Sequence, residues 1–550
     1  MSTTTPAAIS APGIGVQPFL VRRAAVLGAG TMGSRIAAHL ANAGIPVLLL
    51  DMVPAGETVR NKLALAGLNA LAKAKPAAFY EASLAALITP GNFEDDLPKL
   101  TQCDWVVEAV AENLEIKTAL LSRVAPHLAP HAVLTTNTSG LPVGKIAAGM
   151  GEVAGARRKR FFGTHFFNPP RYMRLLEVIQ TAESDAGVVA AFAAFADRIL
   201  GKQVVFANDT PNFIANRIGI AVMFNAASLM LEQGLSIEEV DALTGPAIGW
   251  PRTGTFRLAD MVGIDILAHV AANFPQGVTP GGFSAVLEEI VKRGWLGDKA
   301  GQGFYKKTRG VDGKELRLVL DLKTFEYRAT AKAAPPALEM AKNAATVQER
   351  LRQLLANDPA KDKAAKFLWP FLSALWNFAA ERIGEAAGDA PSIDRAMRAG
   401  FNWELGPFEM WDAAGVIDTV ARMHALHLPV SSAVEDLLES SSGSAKAFWY
   451  SPDGPQCYNP TTRGWERVPK LPGHARVADF RVAHGVIRSN AGASLVDLGD
   501  GIGCIELHSL KDAIGGDVVA LVSAVLNPAS DAVRDFAGCV ISVDRDNFSE

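Results

Sequence analysis

Over its first third the chain alternates short apolar runs with stretches of helical period. Apolar runs fall at 24–28 (AAVLG), 46–51 (PVLLLD), 104–110 (DWVVEAV), 132–136 (AVLTT), 161–166 (FFGTHF) and 175–179 (LLEVI). Near-continuous apolar runs of this length suit strands covered on both faces. Between the first two, Met32, Ile36 and Leu40 recur every four residues, one face of a helix, and Ala43-Gly44 ends it. Strand and helix alternating in this way predict an α/β fold with a doubly wound parallel sheet.

Beyond residue 206 the texture becomes helical. Residues 215–234 read as one long helix, and no strand-rich alternation is expected again until near the C-terminus. The segment 236–265 (SIEEVDALTGPAIGWPRTGTFRLADMVGID) resembles 392–418 (SIDRAMRAGFNWELGPFEMWDAAGVID). Gly254, Phe256, Asp260 and Gly263 recur as Gly406, Phe408, Asp412 and Gly415, an offset of 152 (406 − 254). Asn225 and Asn377 keep the same offset, so a helical domain is read as duplicated. The expected organisation is an α/β domain over 20–205, a helical domain over 206–310, and a solvated connector with some helix over 311–360. A second helical copy over 361–430, a linker over 431–490 and a further α/β piece over 491–550 complete it. That last piece opens with two short strands about a Gly499-Asp500-Gly501 turn and closes with the strand GCVISVD.

Composition narrows the partners. Hydrophobic residues make up 49% and charged residues 20%, which excludes a disordered chain. A formal charge of −4 supplies no global field for nucleic acid or a membrane surface, so neither is an expected partner. An anionic ligand would have to be held locally, by helix N-termini or one or two lysines. Four scattered cysteines show neither metal spacing nor a disulfide framework, so no metal is expected and a reducing, cytoplasmic setting is. The first residues lack the basic and apolar regions of a secretory signal and read as a loose tail. No apolar stretch is long enough to span a membrane, and the ending Asn547-Phe548-Ser549-Glu550 is not a peroxisomal address.

Gly28-Ala29-Gly30-Thr31-Met32-Gly33 follows a strand and opens a helix. In that setting the first glycine allows the tight turn, the second lets backbone approach a pyrophosphate, and the third allows close helix–strand packing. Asp51 ends the next strand, where a carboxylate accepts hydrogen bonds from a ribose diol and repels a 2′-phosphate. The cofactor expected from this arrangement is NAD rather than NADP.

A second constellation is Asn137-Thr138-Ser139 after one strand, His165 and Asn168 at the end of another, and Glu177 on the next. A histidine at such a strand end can act as a general base, and a carboxylate on its far nitrogen can fix its tautomer. From spacing alone, a hydrogen-bonded structural histidine with a solvated glutamate fits as well.

GAGTMG, VEAVAENLEIK (107–117), NTSGLP (137–142), THFFNPP (164–170), LLEVI and DTPNFIANRI (209–218) together resemble the 3-hydroxyacyl-CoA dehydrogenase family. The resemblance covers roughly residues 20–310, and the duplication extends it to about 425. It implies a Rossmann-type NAD domain followed by duplicated all-α dehydrogenase C-terminal domains. It also implies oxidation of an L-3-hydroxyacyl-CoA to the 3-ketoacyl-CoA in fatty-acid β-oxidation. Carried over by position, His165 is the catalytic base and Glu177 its acidic partner. Ser139 and Asn168 surround the substrate oxygen, and Asn216 closes the site from the helical domain. Asp51, Glu112, Lys117 and Asn137 join the glycine loop as cofactor contacts. An excursion over about 57–85 would touch CoA, with Lys73 or Lys75 either meeting phosphates or simply solvated. Leu368 stands at the offset position of Asn216, so the second copy is expected to be structural. The duplication is similar to that of multifunctional fatty-acid oxidation proteins, with a homodimer or a larger β-oxidation complex as the implied assembly.

The C-terminal 60 residues resemble the opening of an enoyl-CoA hydratase (crotonase) domain, on LVDLGDGIGCIELHSLKDAIGGDVV. The fragment is expected to be incomplete and without hydratase activity. Two alternatives stay open: a dehydrogenase of a small 3-hydroxy acid or sugar acid on the same fold, and a non-catalytic NAD-binding protein.

Overall fold

The computed structural model describes residues 19–272, 283–309, 315–331, 335–344, 346–441, 447–452, 454–469, 477–509, 513–527 and 536–543. The tail expected before Phe19 lies outside them. The chain divides into two compact units between Pro469 and Lys470.

The first unit is built on an eight-stranded sheet. Its strands are β1 (Ala24–Leu27), β2 (Val47–Asp51), β3 (Ile88–Asn92), β4 (Trp105–Glu108), β5 (Val133–Thr136), β6 (Phe161–Phe166), β7 (Leu175–Ile179) and β8 (Gln203–Ala207). Their order is β3-β2-β1-β4-β5-β6-β7-β8. The first six are parallel, with helices covering both faces, and β1, β4, β5 and β6 are fully buried. The sheet is not parallel throughout. β7 runs antiparallel to β6, and β8 follows β7. Only residues 167–174 join β6 to β7, too few for the crossover that a parallel pair requires. β3 and β8 escaped the apolar reading because β3 (ITPGN) carries proline and glycine and β8 (QVVFA) is short and half-polar.

The helical duplication is visible in hydrogen bonds. In the first copy Asp241 accepts from the backbone N–H groups of Phe256 (2.6 Å) and Arg257 (3.2 Å) and from the Tyr305 hydroxyl (2.7 Å). Asp260 accepts from the N–H groups of Phe304 and Tyr305, both at 2.8 Å. In the second copy Asp394 accepts from Phe408 N–H (2.9 Å), Glu409 N–H (3.1 Å) and the Tyr450 hydroxyl (2.6 Å). Asp412 accepts from Trp449 and Tyr450 N–H at 2.7 and 2.9 Å. The long helices of the copies, Ala215–Gln233 and Lys363–Ala380, pack on each other. Trp250 and Trp403 stack with centroids 4.0 Å apart. Equivalent elements meeting in pairs is the mark of a pseudo-two-fold arrangement.

Two expectations fail here. Residues expected to be helical or a plain connector form a three-stranded antiparallel sheet of β9 (Tyr305–Arg309), β10 (Glu315–Asp321) and β11 (Glu326–Ala329). The region expected to be a linker holds helix Ser432–Ser440 and the hairpin β12 (Gln456–Asn459) and β13 (Gly464–Arg467). β9, β11 and β13 are short, and all their residues are exposed or half-buried. With little face to bury, they carry little of the period-two signal of a half-buried strand; β12 (QCYN) is buried but only four residues long, and β10 (ELRLVLD) does alternate leucines at 316, 318 and 320 with Arg317 and Asp321, a strand signal that the connector reading passed over.

The second unit holds a four-stranded sheet, β14 (Val486–Ser489), β15 (Ala493–Asp497), β16 (Ile502–Leu507) and β17 (Gly538–Val543). β15 and β16 form the expected hairpin, its turn held by positive φ at Gly499, Asp500 and Gly501. β16 and β17 are parallel, and helix Gly516–Leu526 lies between them in sequence and packs on β15.

Candidate active site

At the C-terminal end of β1 the chain turns sharply into helix Thr31–Asn42. Gly28 has φ +103°, and a Cβ there would meet Ala109 O at 2.7 Å. A Cβ on Gly33 would lie 1.8 Å from Gly28 O and 3.3 Å from Val26 on β1, so helix and strand touch through this residue. The Cβ position of Gly30 faces open space. Thr31 is exposed and Met32 half-buried beside it. Asp51 ends β2, with Oδ2 accepting from Ala29 N–H (2.6 Å) and Oδ1 from Met52 N–H (2.7 Å). A carboxylate has room for further donors after these two. An open glycine backbone at a helix N-terminus with a carboxylate at the next strand end fits a dinucleotide.

Across the strand ends, Glu112 gathers the loop after β5. Its Oε1 accepts from Thr138 hydroxyl (2.6 Å), Ser139 N–H (2.8 Å), Ser139 hydroxyl (3.2 Å) and Gly140 N–H (3.3 Å). Its Oε2 lies 3.2 Å from Lys117 Nζ. Burial works to raise the Glu112 pKa, but Lys117 and these donors hold it below the ordinary value. Lys117 is buried and also contacts Glu108 Oε1 at 2.7 Å. Glu108 in turn accepts from Val110 N–H (2.7 Å) and the Thr136 hydroxyl (2.6 Å). Asn137 Oδ1 accepts from Phe166 N–H at 2.9 Å, tying the ends of β5 and β6.

His165 and Glu177 face each other directly across the β6–β7 pair. His165 Nδ1 lies 2.7 Å from Glu177 Oε2, and both side chains are buried. The other carboxylate oxygen accepts from Ile214 N–H (3.1 Å) and Ala215 N–H (2.9 Å), which open helix Ala215–Gln233. One glutamate therefore orients the imidazole and caps the first helix of the helical domain. Phe167 and Phe213 flank the ring with centroids at 4.5 and 5.7 Å. The turn into that helix places Asn212 (φ 62°) and Phe213 (φ 50°) in the left-handed region. That conformation costs about 1–2 kcal/mol per residue. The burial of Phe213 and the two hydrogen bonds to Glu177 offset it.

Asn216 is half-buried one residue after Ala215, on the same helix end. Asn168 is exposed in the β6–β7 loop, its Oδ1 held at 2.6 Å by Arg35 of the helix that the glycine loop opens. Glu177 thus joins His165 to the helix end that carries Asn216, and Asn137 ties the loop of Ser139 to the strand of His165, while Lys117 is enclosed in an ion cluster rather than open to a ligand. Lys73 and Lys75 are exposed between helix Lys62–Leu71 and β3.

Sequence reasoning missed several supporting groups. Glu108 is a charged residue inside an otherwise apolar strand, which was signal enough. Asp209 accepts from Val143 and Gly144 N–H, both at 2.7 Å, fixing the helix that follows the Ser139 loop. Lys202 is buried and donates to Pro170 O and, at 2.9 Å, to Met173 O, bracing the Asn168 loop. Burial lowers its pKa to about 7. Among the described residues no group of three His, Cys, Asp or Glu could hold a metal, and no helix is long and apolar enough to cross a membrane.

The family model of the 3-hydroxyacyl-CoA dehydrogenase NAD binding domain matches residues 23–210, and that of the family's C-terminal domain matches 213–307. A probable 3-hydroxyacyl-CoA dehydrogenase of Bacillus subtilis is 40% identical over 548 residues, covering 96% of this chain and 67% of the relative. One of the same description from Deinococcus radiodurans is 50% identical over 320 residues, 58% of this chain and 91% of the relative. The crystal structure of 3-hydroxybutyryl-CoA dehydrogenase from Escherichia coli K12 shares the fold, with TM-score 0.54 and 23% identity over 77% of this chain and all of that one. Both domain models match in order, with the boundary between them falling where the turn at Asn212 and Phe213 hands Glu177 its helix, and the chain belongs to the 3-hydroxyacyl-CoA dehydrogenase family of NAD-dependent oxidoreductases.

Proposed function

We propose that the chain oxidises L-3-hydroxyacyl-CoA thioesters to 3-ketoacyl-CoA in fatty-acid β-oxidation, with His165 as the general base. The observation that carries this reading is the 2.7 Å contact between buried His165 and Glu177 at the strand ends facing the glycine loop. Glu177 occupies Nδ1 and leaves Nε2 as the nitrogen for the substrate's 3-hydroxyl proton. NAD, when bound, supplies the acceptor for the hydride that leaves C3. His165 takes the hydroxyl proton, so the carbonyl forms with charge balanced. Glu177 supports the imidazolium that results. Ser139 and Asn168 offer polar groups to the same oxygen, and Asn216 closes the pocket from the helical side. Gly28, Gly30, Thr31, Met32 and Gly33 hold the pyrophosphate, and Asp51 the adenosine ribose. Glu112, Lys117 and Asn137 fix the two loops between which the nicotinamide would lie.

Oxidation of NADH by acetoacetyl-CoA, compared with free acetoacetate at equal concentration, tests the thioester assignment. A large preference for the thioester is expected. Equal turnover of the free acid would move the reading to small 3-hydroxy acids.

A further inference from the structure

Residues of helix Ile237–Leu243, the loop before Phe256, and strands β9 and β10 line a cavity of about 510 Å3. Three arginines line it, Arg252, Arg257 and Arg317, with Glu238, Asp241 and Tyr305. The acids are already engaged. Glu238 holds Arg328 through two contacts of 2.7 and 2.8 Å. Asp241 takes two backbone N–H groups and the Tyr305 hydroxyl, and burial raises its pKa to about 7. Arg257 pairs with Asp298 at 2.6 Å. Arg252 and Arg317 are exposed and have no acid partner among the described residues. The lining therefore carries cationic charge that no acid of the described residues matches.

The duplicate supplies an internal control. The same scaffold recurs around Asp394 and Tyr450, yet at the offset of 152 that holds from Gly254 onward (406 − 254) Glu409 stands in place of Arg257. The scaffold accepts either sign of charge, so folding does not demand arginines. Arginines that line a cavity suit the paired oxygens of phosphate. The volume lies within the range of small-molecule sites.

We propose that this cavity binds a phosphate- or diphosphate-bearing anion of about mononucleotide size, at a site that shares no residue with the proposed NAD and substrate sites. A free nucleotide and the phosphate end of a CoA molecule offer the same chemistry. The test is calorimetric titration of the full chain, saturated with NADH at low salt, with inorganic pyrophosphate as the probe. Wild type should take up pyrophosphate saturably, and Arg252→Glu with Arg317→Glu should weaken that binding at least tenfold. Glu404→Gln, the control in the second copy, should leave it unchanged, and the KM for NAD should not move. The neutral pair Arg252→Gln and Arg317→Gln, which guards against misfolding of the reversed variant, should give an intermediate loss. Competition by ADP alone assigns the site to free nucleotides, and competition by CoA as well assigns it to the CoA phosphates. Absence of saturable uptake by wild type, affinity unchanged in both arginine variants, or competition by neither ADP nor CoA overturns the proposal.

Discussion

The two helical copies begin their long helices differently. In the second, Lys363–Ala380 starts one turn before the point equivalent to Ala215, and it is capped within its own domain, Asp362 Oδ1 accepting from Ala365 N–H at 2.7 Å. In the first, the helix starts at Ala215, and its leading N–H groups rest on Glu177 of the sheet. The first copy has given up a local cap and taken the carboxylate that also orients His165. Position 216 follows the same division, with a half-buried asparagine in one copy and fully buried Leu368 in the other. What both copies share, the aspartate–tyrosine–backbone network, belongs to the fold. What only one copy has faces the sheet or a cavity, and that is where the chemistry is expected.

The sharpest way to break this division is to disable the sheet side alone. His165→Gln should lower kcat by roughly 10²–10⁴, with little change in NAD affinity and none in the melting of the helical copies. Wild-type turnover in that variant would remove the imidazole from the mechanism.

Exchanging position 216 with its counterpart comes next. Leu368→Asn places an amide in an apolar core and should cost about 3 kcal/mol of stability, read by urea unfolding, while turnover per folded molecule holds. Asn216→Leu should do the reverse, lowering kcat/KM roughly 10- to 100-fold with stability nearly kept. If both changes affected only stability, the copies would be equivalent after all.

Asp51→Ala should weaken NAD roughly tenfold, because it removes a charged acceptor and frees Ala29 N–H. Cofactor titration reads it, and the acyl-CoA KM should barely change.

The smallest effect concerns the shared network. Burial raises the pKa of Asp241 and Asp412 to about 7, that of Asp260 to about 6, and that of Asp394 well above the carboxylate range. The folded chain therefore binds these protons more tightly than the unfolded chain. The contribution of Asp241, Asp260 and Asp412 is full below the ordinary carboxylate value of 3.8 and is lost as pH rises through 6 to 7. Thermal unfolding between pH 5 and 7.5 should show a fall on the order of 1 kcal/mol for each of these three carboxylates. Asp260→Asn and Asp412→Asn should each flatten it by a similar amount. A flat profile in wild type would show that these carboxylates titrate normally.

Much of the sheet was legible because β1, β2, β4, β5, β6 and β7 are apolar on both faces, and burial on both faces leaves an unbroken run in the sequence. The duplication was legible because Gly254 and Gly406 cannot carry a side chain. A Cβ on either would lie about 2.5 Å or less from an atom of Asp241 or Asp394. Strands β9, β11 and β13 were not, since short exposed strands bury too little to impose a period, and β12 is buried over only four residues; β10 carried alternating leucines that the connector reading passed over.

The sequence by itself determined the glycine turn, the order of strands and helices, and the residue types at the strand ends, because each depends on backbone allowance or on local periodicity. It could not decide that β7 reverses against β6, which puts His165 opposite Glu177. Nor could it decide that Glu177 would cap a helix 37 residues further on. Lys117 illustrates the same limit: the family resemblance implies a cofactor contact there, yet it lies buried against Glu108 and Glu112. Pairing across a sheet and the partner of a buried charge are set by which elements pack together. That is a property of the assembled chain, where water is excluded and every polar group must find a neighbour.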